Sequence, residues 1–176
     1  MDRRERFEAA YRELYAPICG YVLRRVREPE DAAEAIAETF ATLWRRFDSC
    51  PHGDELRPWL FGVARRVVAN QRRAERRRTA LGERLVAHID RTAAHANAAV
   101  EDTTVLARAL ASLSDSDREL LSLVAWEGLT RDELAVALGT NRAAVRLRLH
   151  RARKRLRAAL PPTEVRFSGG REHEWT

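Results

Sequence analysis

An all-α chain, folded as two small helical domains joined by a flexible linker, is what the sequence predicts, and three observations carry that prediction. Almost every segment repeats its apolar residues at the helical period, and no stretch reads convincingly as a strand. The periodicity dissolves between Thr79 and Thr103 into Ala, His, Thr and mixed charge. The basic residues gather into two blocks: residues 57–78 hold eight Arg against one Glu, and residues 141–160 hold eight basic residues and no acid. With net charges of +7 and +8 in these blocks and +6 over all 176 residues, the remainder of the chain carries −9.

In the first domain, residues 1–78, Phe7, Tyr11, Leu14, Ile18 and Val22 make one helical face, with Pro17 inside the run predicting a bend or local break. After Glu28-Pro29 a second helix presents Ile36, Phe40, Leu43 and Phe47 on one side and Asp31, Glu34 and Glu38 on the other. The stretch DSCPHGDE, residues 48–55, is rich in turn formers. A third helix follows from about Arg57, with Pro58 suited to its first turn and Trp59, Leu60, Val63 and Val67 as its packing residues. The linker spans 79–103, where Leu81, Leu85 and Ile89 make at most a turn or two of helix.

The second domain, residues 104–160, opens with Leu106, Leu110 and Leu113. Ser114, three residues before Asp117, caps the next helix, and Gly128 suits its left-handed stop. Thr130 and Glu133 form a capping box ahead of DELAVAL, which ends at Gly139. Thr140 or Asn141 then caps a helix whose Val145, Leu149, Ala152 and Leu156 form a narrow apolar seam. Arg142, Arg146, Arg148, Arg151, Arg153, Lys154 and Arg155 surround it. The cations begin in the first turn, where the helix dipole disfavours them, and no acid lies within the helix to pair with them. Two helices joined by a short Gly-containing turn, the second with a basic outer face, make a helix-turn-helix, and its partner is expected to be nucleic acid. Residues 161–176 form a polar tail.

The same residues exclude other classes. No Gly-rich phosphate loop, no HExxH and no His–carboxylate set at ligand spacing is present, so no enzyme, cofactor or metal site is expected. His88, His95, His150 and His173 are scattered and read as surface residues. Cys19 and Cys50 are too few and too far apart for a disulfide framework, and Cys50-Pro-His52 lacks the second pair of a zinc site. No run approaches a membrane span, and MDRRERFEAAYREL lacks a signal peptide's apolar region, so a cytoplasmic protein without membrane insertion is expected.

FEAAYRELYAPICGYVLRRV, DAAEAIAETFATLWRRF, LRPWLFGVARRVVANQRR and LSDSDRELLSLVAWEGLTRDELAVALGTNRAAVRLRLHRARKRL together, and in this order, resemble the bacterial extracytoplasmic-function sigma factors of the sigma-70 family. The resemblance implies a sigma-2 domain over 1–78 and a sigma-4 domain over 104–160. It implies core RNA polymerase as partner, through the clamp of its largest subunit and the flap of its second-largest, together with promoter DNA and an anti-sigma factor. The implied function is promoter-specific initiation, by recognition of the −35 duplex and the melted −10 element, without catalytic residues of the chain's own. Core binding then falls to the 31–46 helix, with Asp31, Glu34, Glu38, Phe40 and Trp44. The family commonly has Gln where this chain has Ala37. The −10 role falls to Ser49, His52 and Asp54 in the loop and to Arg57, Trp59, Arg65, Arg66, Asn70 and Arg73 in the helix; many relatives carry Asn in place of Arg66.

From the residues alone, Arg57, Arg65, Arg66, Arg72 and Arg73 supply a cationic track for a separated strand, and Trp59 is open to base stacking or, at its amphipathic position, to the core. Arg142, Arg146 and Arg148 are placed for bases or phosphates of duplex DNA, which the resemblance makes the −35 element, and Arg151, Arg153 and Lys154 for phosphates. Leu147 points away from the seam, toward a thymine methyl or simply toward water. The linker acids Glu83, Asp90, Glu101 and Asp102 resemble a segment that threads toward the polymerase cleft. The competing reading is a stand-alone helix-turn-helix regulator, which accounts for residues 104–160 but not for the first basic block or the acidic helix.

Overall fold

In the computed structural model, which describes residues 2–86 and 105–160, the chain forms seven α-helices and, among the described residues, no strand. Helix α1 spans Arg3–Leu23, α2 Pro29–Arg46, α3 Leu56–Val86, α4 Val105–Ala111, α5 Asp115–Ala125, α6 Arg131–Leu138 and α7 Arg142–Ala159, with one 3-10 turn at Gly53–Glu55. The central linker expectation, including Ile89, Asp90, Glu101 and Asp102, and the tail expectation lie outside the described residues.

Local chemistry explains most boundaries. Asp2 caps α1 reciprocally with Glu5, whose carboxylate accepts the Asp2 N–H at 2.9 Å. Helix α1 then runs through Pro17 without the local break that was one of the two expected outcomes, the other being a bend. The hydrogen bond lost at Pro17 is outweighed by Leu14, Ile18, Tyr21 and Val22, buried on both sides of it. Pro29 opens α2, with Glu30 and Asp31 in its first turn and Arg45 and Arg46 in its last, matching the helix dipole at both ends. Thr39 is buried among apolar neighbours because its hydroxyl donates to Ala35 O at 2.7 Å. Helix α3 overruns the expected boundary at residue 78 and reaches Val86. Its extra turns, TALGERLV, are mostly Ala, Leu, Glu and Arg, all strong helix formers.

The second group follows its caps closely. Ser114 Oγ accepts the Asp117 N–H at 3.2 Å to start α5. At α6 the Thr130 hydroxyl accepts the Glu133 N–H at 3.2 Å while the Glu133 carboxylate accepts the Thr130 N–H at 2.8 Å. Gly139 stops α6 in the left-handed region, φ +62°. Asn141, of the two candidates, caps α7, its Oδ1 accepting the Ala144 N–H at 2.8 Å. Val145, Leu149 and Ala152 are buried against α5 and α6, and Leu156 is half-buried.

The buried residues form one continuous cluster across both helical groups, from Ala10 in α1 to Leu149 in α7. Helix α3 joins them: Leu60, Phe61 and Ala64 are buried with the α1–α2 core, while α3 also packs closely on α6. At Gly62 the two backbones nearly touch, since a Cβ there would lie 2.5 Å from Ala137 O. Two domains on a tether did not foretell this contact. Gly62→Ala is therefore expected to open it. Helix propensity favours Ala by about 1 kcal/mol in a helix interior, so circular dichroism should show helicity retained while small-angle scattering shows a larger radius of gyration. An unchanged radius with a higher melting temperature would mean that α3 and α6 shift enough to admit the methyl group.

Candidate nucleic-acid interface

Helix α7 turns one stripe inward and the rest of its circumference to water. Arg142, Arg146, Arg148, Arg151, Arg153 and Lys154 are all exposed. Among the described residues, only Arg142 of these six has an ion-pair partner, Asp132 at 3.2 Å. That carboxylate offsets a guanidinium sitting at the positive end of the helix dipole. Arg155 is used differently: it reaches Asp117 at 2.6 Å and ties α7 to α5. Leu147 is 49% exposed. The result is a convex surface of unneutralised cations on the second helix of a helix-turn-helix, of a shape and charge that fit the major groove of duplex DNA.

The α3 block is not one track. Arg66, Asn70 and Arg73 follow at i, i+4 and i+7 along an exposed stripe, with the Arg73 guanidinium donating to the Asn70 carbonyl oxygen. Arg65, Arg72 and Arg76 lie on a second stripe facing α5. Arg57 is engaged inside the protein: it donates to Glu133 at 2.9 Å and to the Glu127 carbonyl at 2.5 Å, with its guanidinium 5.3 Å from the Phe61 ring centre. Trp59 is half-buried against the core. The loop between α2 and α3 is anchored by buried Cys50, whose thiol lies 3.3 Å from Phe47 O and is pushed up in pKa by burial. It leaves Ser49, His52 and Asp54 exposed.

On α2, Glu34 and Glu38 are exposed and Asp31 is half-buried. The hydrogen bond from Arg45, at 2.5 Å, holds the Glu38 carboxyl below the usual range. Phe40, assigned to the docking face with these acids, is 5% exposed and packs at a tilt against Tyr11, ring centres 4.6 Å apart. Its place on the α2 apolar face makes it part of the core here, beneath the exposed acids rather than beside them. Trp44 is 40% exposed, with Arg3 over its ring at 4.3 Å and Phe7 edge-on at 4.9 Å. Tyr11 and Tyr15 continue this exposed aromatic row along α1. The i, i+4, i+8 spacing of Phe7, Tyr11 and Tyr15 is the signal that finds the row.

Sequence reasoning missed the carboxylates that meet the first basic residues. Glu119 accepts from Tyr21 Oη at 2.7 Å and Arg25 Nε at 2.9 Å. Glu127 accepts from Arg24 at 2.5 Å and Arg25 Nη1 at 3.2 Å. The Arg25 and Glu127 side chains are only 6% and 3% exposed. Burial and the Glu119 carboxylate push the Tyr21 phenol's pKa up. Among the described residues, no group of three or more His, Cys, Asp or Glu is placed to hold a metal, and no helix is long and apolar enough to cross a membrane.

The family model described as sigma-70 region 2 matches residues 10–78, and that described as sigma-70, region 4 matches residues 104–156. A relative named ECF RNA polymerase sigma factor SigL, from Mycobacterium tuberculosis, is 32% identical over 86% of this chain and 87% of its own. RNA polymerase sigma factor CarQ of Myxococcus xanthus is 29% identical over 94% of this chain and 98% of its own. Among solved structures, the sigma factor RpoE, co-crystallised with the anti-sigma factor NepR from Bartonella quintana, has a TM-score of 0.60 at 23% identity, covering 88% of this chain and 96% of that one. CnrH, in complex with the cytosolic domain of CnrY, has a TM-score of 0.57 at 20% identity, covering 88% and 87%. These two likenesses show the fold.

The Glu133 carboxyl gives the α3–α6 contact a pH dependence. Burial opposes its ionisation, but hydrogen bonds from Thr130 and the Arg57 guanidinium outweigh that and hold it below the ordinary range. A depressed carboxyl stabilises the fold above the unfolded value of about 4.3 and loses that contribution as pH falls through the folded value. The stability difference between the native chain and Glu133→Gln, read from urea unfolding, should therefore hold from pH 7 to about 5 and shrink below about 4. A gap constant down to pH 3 would contradict the ionised pairing.

Proposed function

The chain belongs to the sigma-70 family as an extracytoplasmic-function RNA polymerase sigma factor, and from that premise we propose how its residues divide the work of promoter recognition. Residues 1–78 serve as the sigma-2 domain, 79–103 as linker and 104–160 as the sigma-4 domain. The observation that carries the reading is the exposed cationic surface of α7 on a helix-turn-helix, of which only Arg142 has an ion-pair partner among the described residues. Arg142, Arg146 and Arg148, nearest its N-terminus, read base edges and adjacent phosphates of the −35 duplex, and Arg151, Arg153 and Lys154 hold phosphates further along.

The −10 element falls to the exposed stripe Arg66, Asn70 and Arg73 with the loop residues Ser49, His52 and Asp54. A guanidinium stripe holds the backbone of a separated strand while the loop receives an unstacked base. Arg57 joins this surface only after leaving Glu133 and Glu127, so α3 and α6 must part before it reaches DNA. Arg65 likewise faces α5 until then. Glu34 and Glu38, with Asp31 at the edge and exposed Trp44, dock on the clamp of the largest polymerase subunit, an acidic face with an aromatic anchor suiting a basic partner. The sigma-4 domain meets the flap of the second-largest subunit. An anti-sigma factor is the expected regulator, in keeping with the anti-sigma factor NepR bound in the similar RpoE structure.

On this reading the protein acts in the cytoplasm and performs no covalent chemistry. It changes which DNA the polymerase binds. The stand-alone regulator is not favoured, because it leaves the region 2 match and the exposed acids of α2 without a role.

Two substitutions separate the surfaces. Arg146→Ala should lower occupancy of a −35-dependent promoter by roughly ten- to a hundredfold, the range for one good base contact, with co-elution with core polymerase intact. Glu34→Arg should weaken co-elution and leave the α7 surface unchanged. Equal loss of core binding in both variants would overturn the division of labour.

A further inference from the structure

A cleft of about 270 Å³ lies between α1, α3, α5 and the first turns of α7. Six arginines line it: Arg25, Arg65, Arg72, Arg73, Arg76 and Arg148. Three carboxylates answer them, Glu119 at 2.9 Å and Glu127 at 3.2 Å on Arg25, and Asp115 at 3.4 Å on Arg76. Arg65, Arg72, Arg73 and Arg148 have no carboxylate partner among the described residues. Arg65 and Arg148 have no hydrogen bond or ion pair among the described residues, and Arg65 Nε is buried without an acceptor. Arg25 is more than nine-tenths buried, with Nε and Nη1 both used, yet its buried Nη2 has no partner either. A buried guanidinium N–H left without an acceptor is costly, and both of these belong to arginines that line the one cationic cleft.

We propose that this cleft binds a compact diphosphate anion, free or as the diphosphate of a nucleotide. Guanidinium forks match phosphate oxygens, and two phosphates carry about three negative charges at neutral pH, close to the uncompensated charge of the lining. The cleft lies at the small end of ligand-sized cavities and is bounded by four helices, so a duplex does not enter it. The anion bridges the α1–α3 group to α5 and α7 and thereby holds the two groups together. Arg65, Arg73 and Arg148 belong to the promoter-binding surfaces, so the ligand competes with DNA; that consequence, unlike the binding itself, rests on the proposed sigma function.

The test is titration calorimetry of the full chain with inorganic pyrophosphate at physiological salt, with ADP and adenosine as further arms. One saturable site is expected, weakened tenfold or more by Arg65→Gln and by Arg148→Gln, and unchanged in Arg153→Gln, whose side chain lies on α7 outside the cleft. Arg148 is exposed, so its variant keeps the test meaningful if Arg65→Gln fails to fold. Binding of ADP but not adenosine assigns a nucleotide diphosphate, and binding of pyrophosphate alone assigns the free anion. No saturable heat with any arm, or equal weakening by Arg153→Gln, overturns the site. A chain that binds pyrophosphate but does not co-elute with core polymerase sinks the sigma reading and leaves the site standing; the reverse pattern sinks the site alone.

Discussion

Arg25 and Glu127 are charged side chains held almost wholly out of water, and the arrangement of the two helical groups depends on their meeting. Each alone in that position would carry a desolvation penalty of several kcal/mol, and removing either partner from such a pair typically costs about 3–5 kcal/mol. Neither has enough partners within its own group. Arg25 finds Glu119 and Glu127 on α5 and the turn after it, and Glu127 finds Arg24 and Arg25 at the end of α1. Tyr21 extends the cluster, its hydroxyl on Glu119 and its ring under the Arg25 guanidinium at 3.7 Å. The cluster fixes how α5 lies across α1, and the Gly62–Ala137 approach fixes how α6 lies along α3. Between these two constraints little freedom remains.

The chemistry of this contact is also what allows it to be undone. An apolar interface of the same extent would offer nothing better than itself to its exposed halves. Guanidinium and carboxylate groups, by contrast, regain hydration when separated, and a polyanion or an acidic partner can replace the carboxylates one for one. Arg57 shows the exchange on a small scale: a phosphate would offer it the same two oxygens that Glu133 and the Glu127 carbonyl now supply. The contact is specific through its geometry and exchangeable through its charge.

How much of this was legible in the sequence follows from how far each signal travels along the chain. Caps act over three or four residues, so Ser114, Thr130–Glu133, Gly139 and the seam of α7 could be read directly, and the structure has them where the pattern put them. The all-α class rests on the same short-range periodicity. The ion pairs of Arg25 join residues more than ninety positions apart, and nothing local marks Glu119 or Glu127 as anything but surface acids. Gly62 was the one local hint, a residue costly inside a helix unless another backbone comes close. Phe40 and Trp44 show a different limit. They lie one turn apart on α2, and only the packing of α1 over that turn decides that Phe40 is enclosed while Trp44 stays at the rim. The split of the α3 arginines into two stripes was implicit in their spacing, but which stripe meets α5 is a tertiary fact.

The two basic blocks therefore stand in different states within one arrangement. On α7, five of the six expected DNA-binding cations lack an ion-pair partner among the described residues, and every one of the six is exposed. On α3, Arg57 is bound to acceptors of the other helical group, Arg72 donates to the Arg25 carbonyl at 2.7 Å, and Arg65 is turned into the cleft. Under the proposed function, the surface for duplex −35 DNA is open while much of the surface for a separated −10 strand is closed by the protein itself. A closed strand-binding surface suits a factor not yet on polymerase, because cations that hold single strands also attract nucleic acid of any sequence. On that function, docking on polymerase through the acidic residues of α2 would supply binding energy to part α3 from α6, and only then would Arg57 exchange the Glu133 carboxylate for a phosphate and Arg65 come free to reach one. The segregation of charge fits that reading: the acids of the second group, Glu119, Glu127 and Glu133, cover Arg24, Arg25 and Arg57 of the first, where a stronger polyanion could take their place.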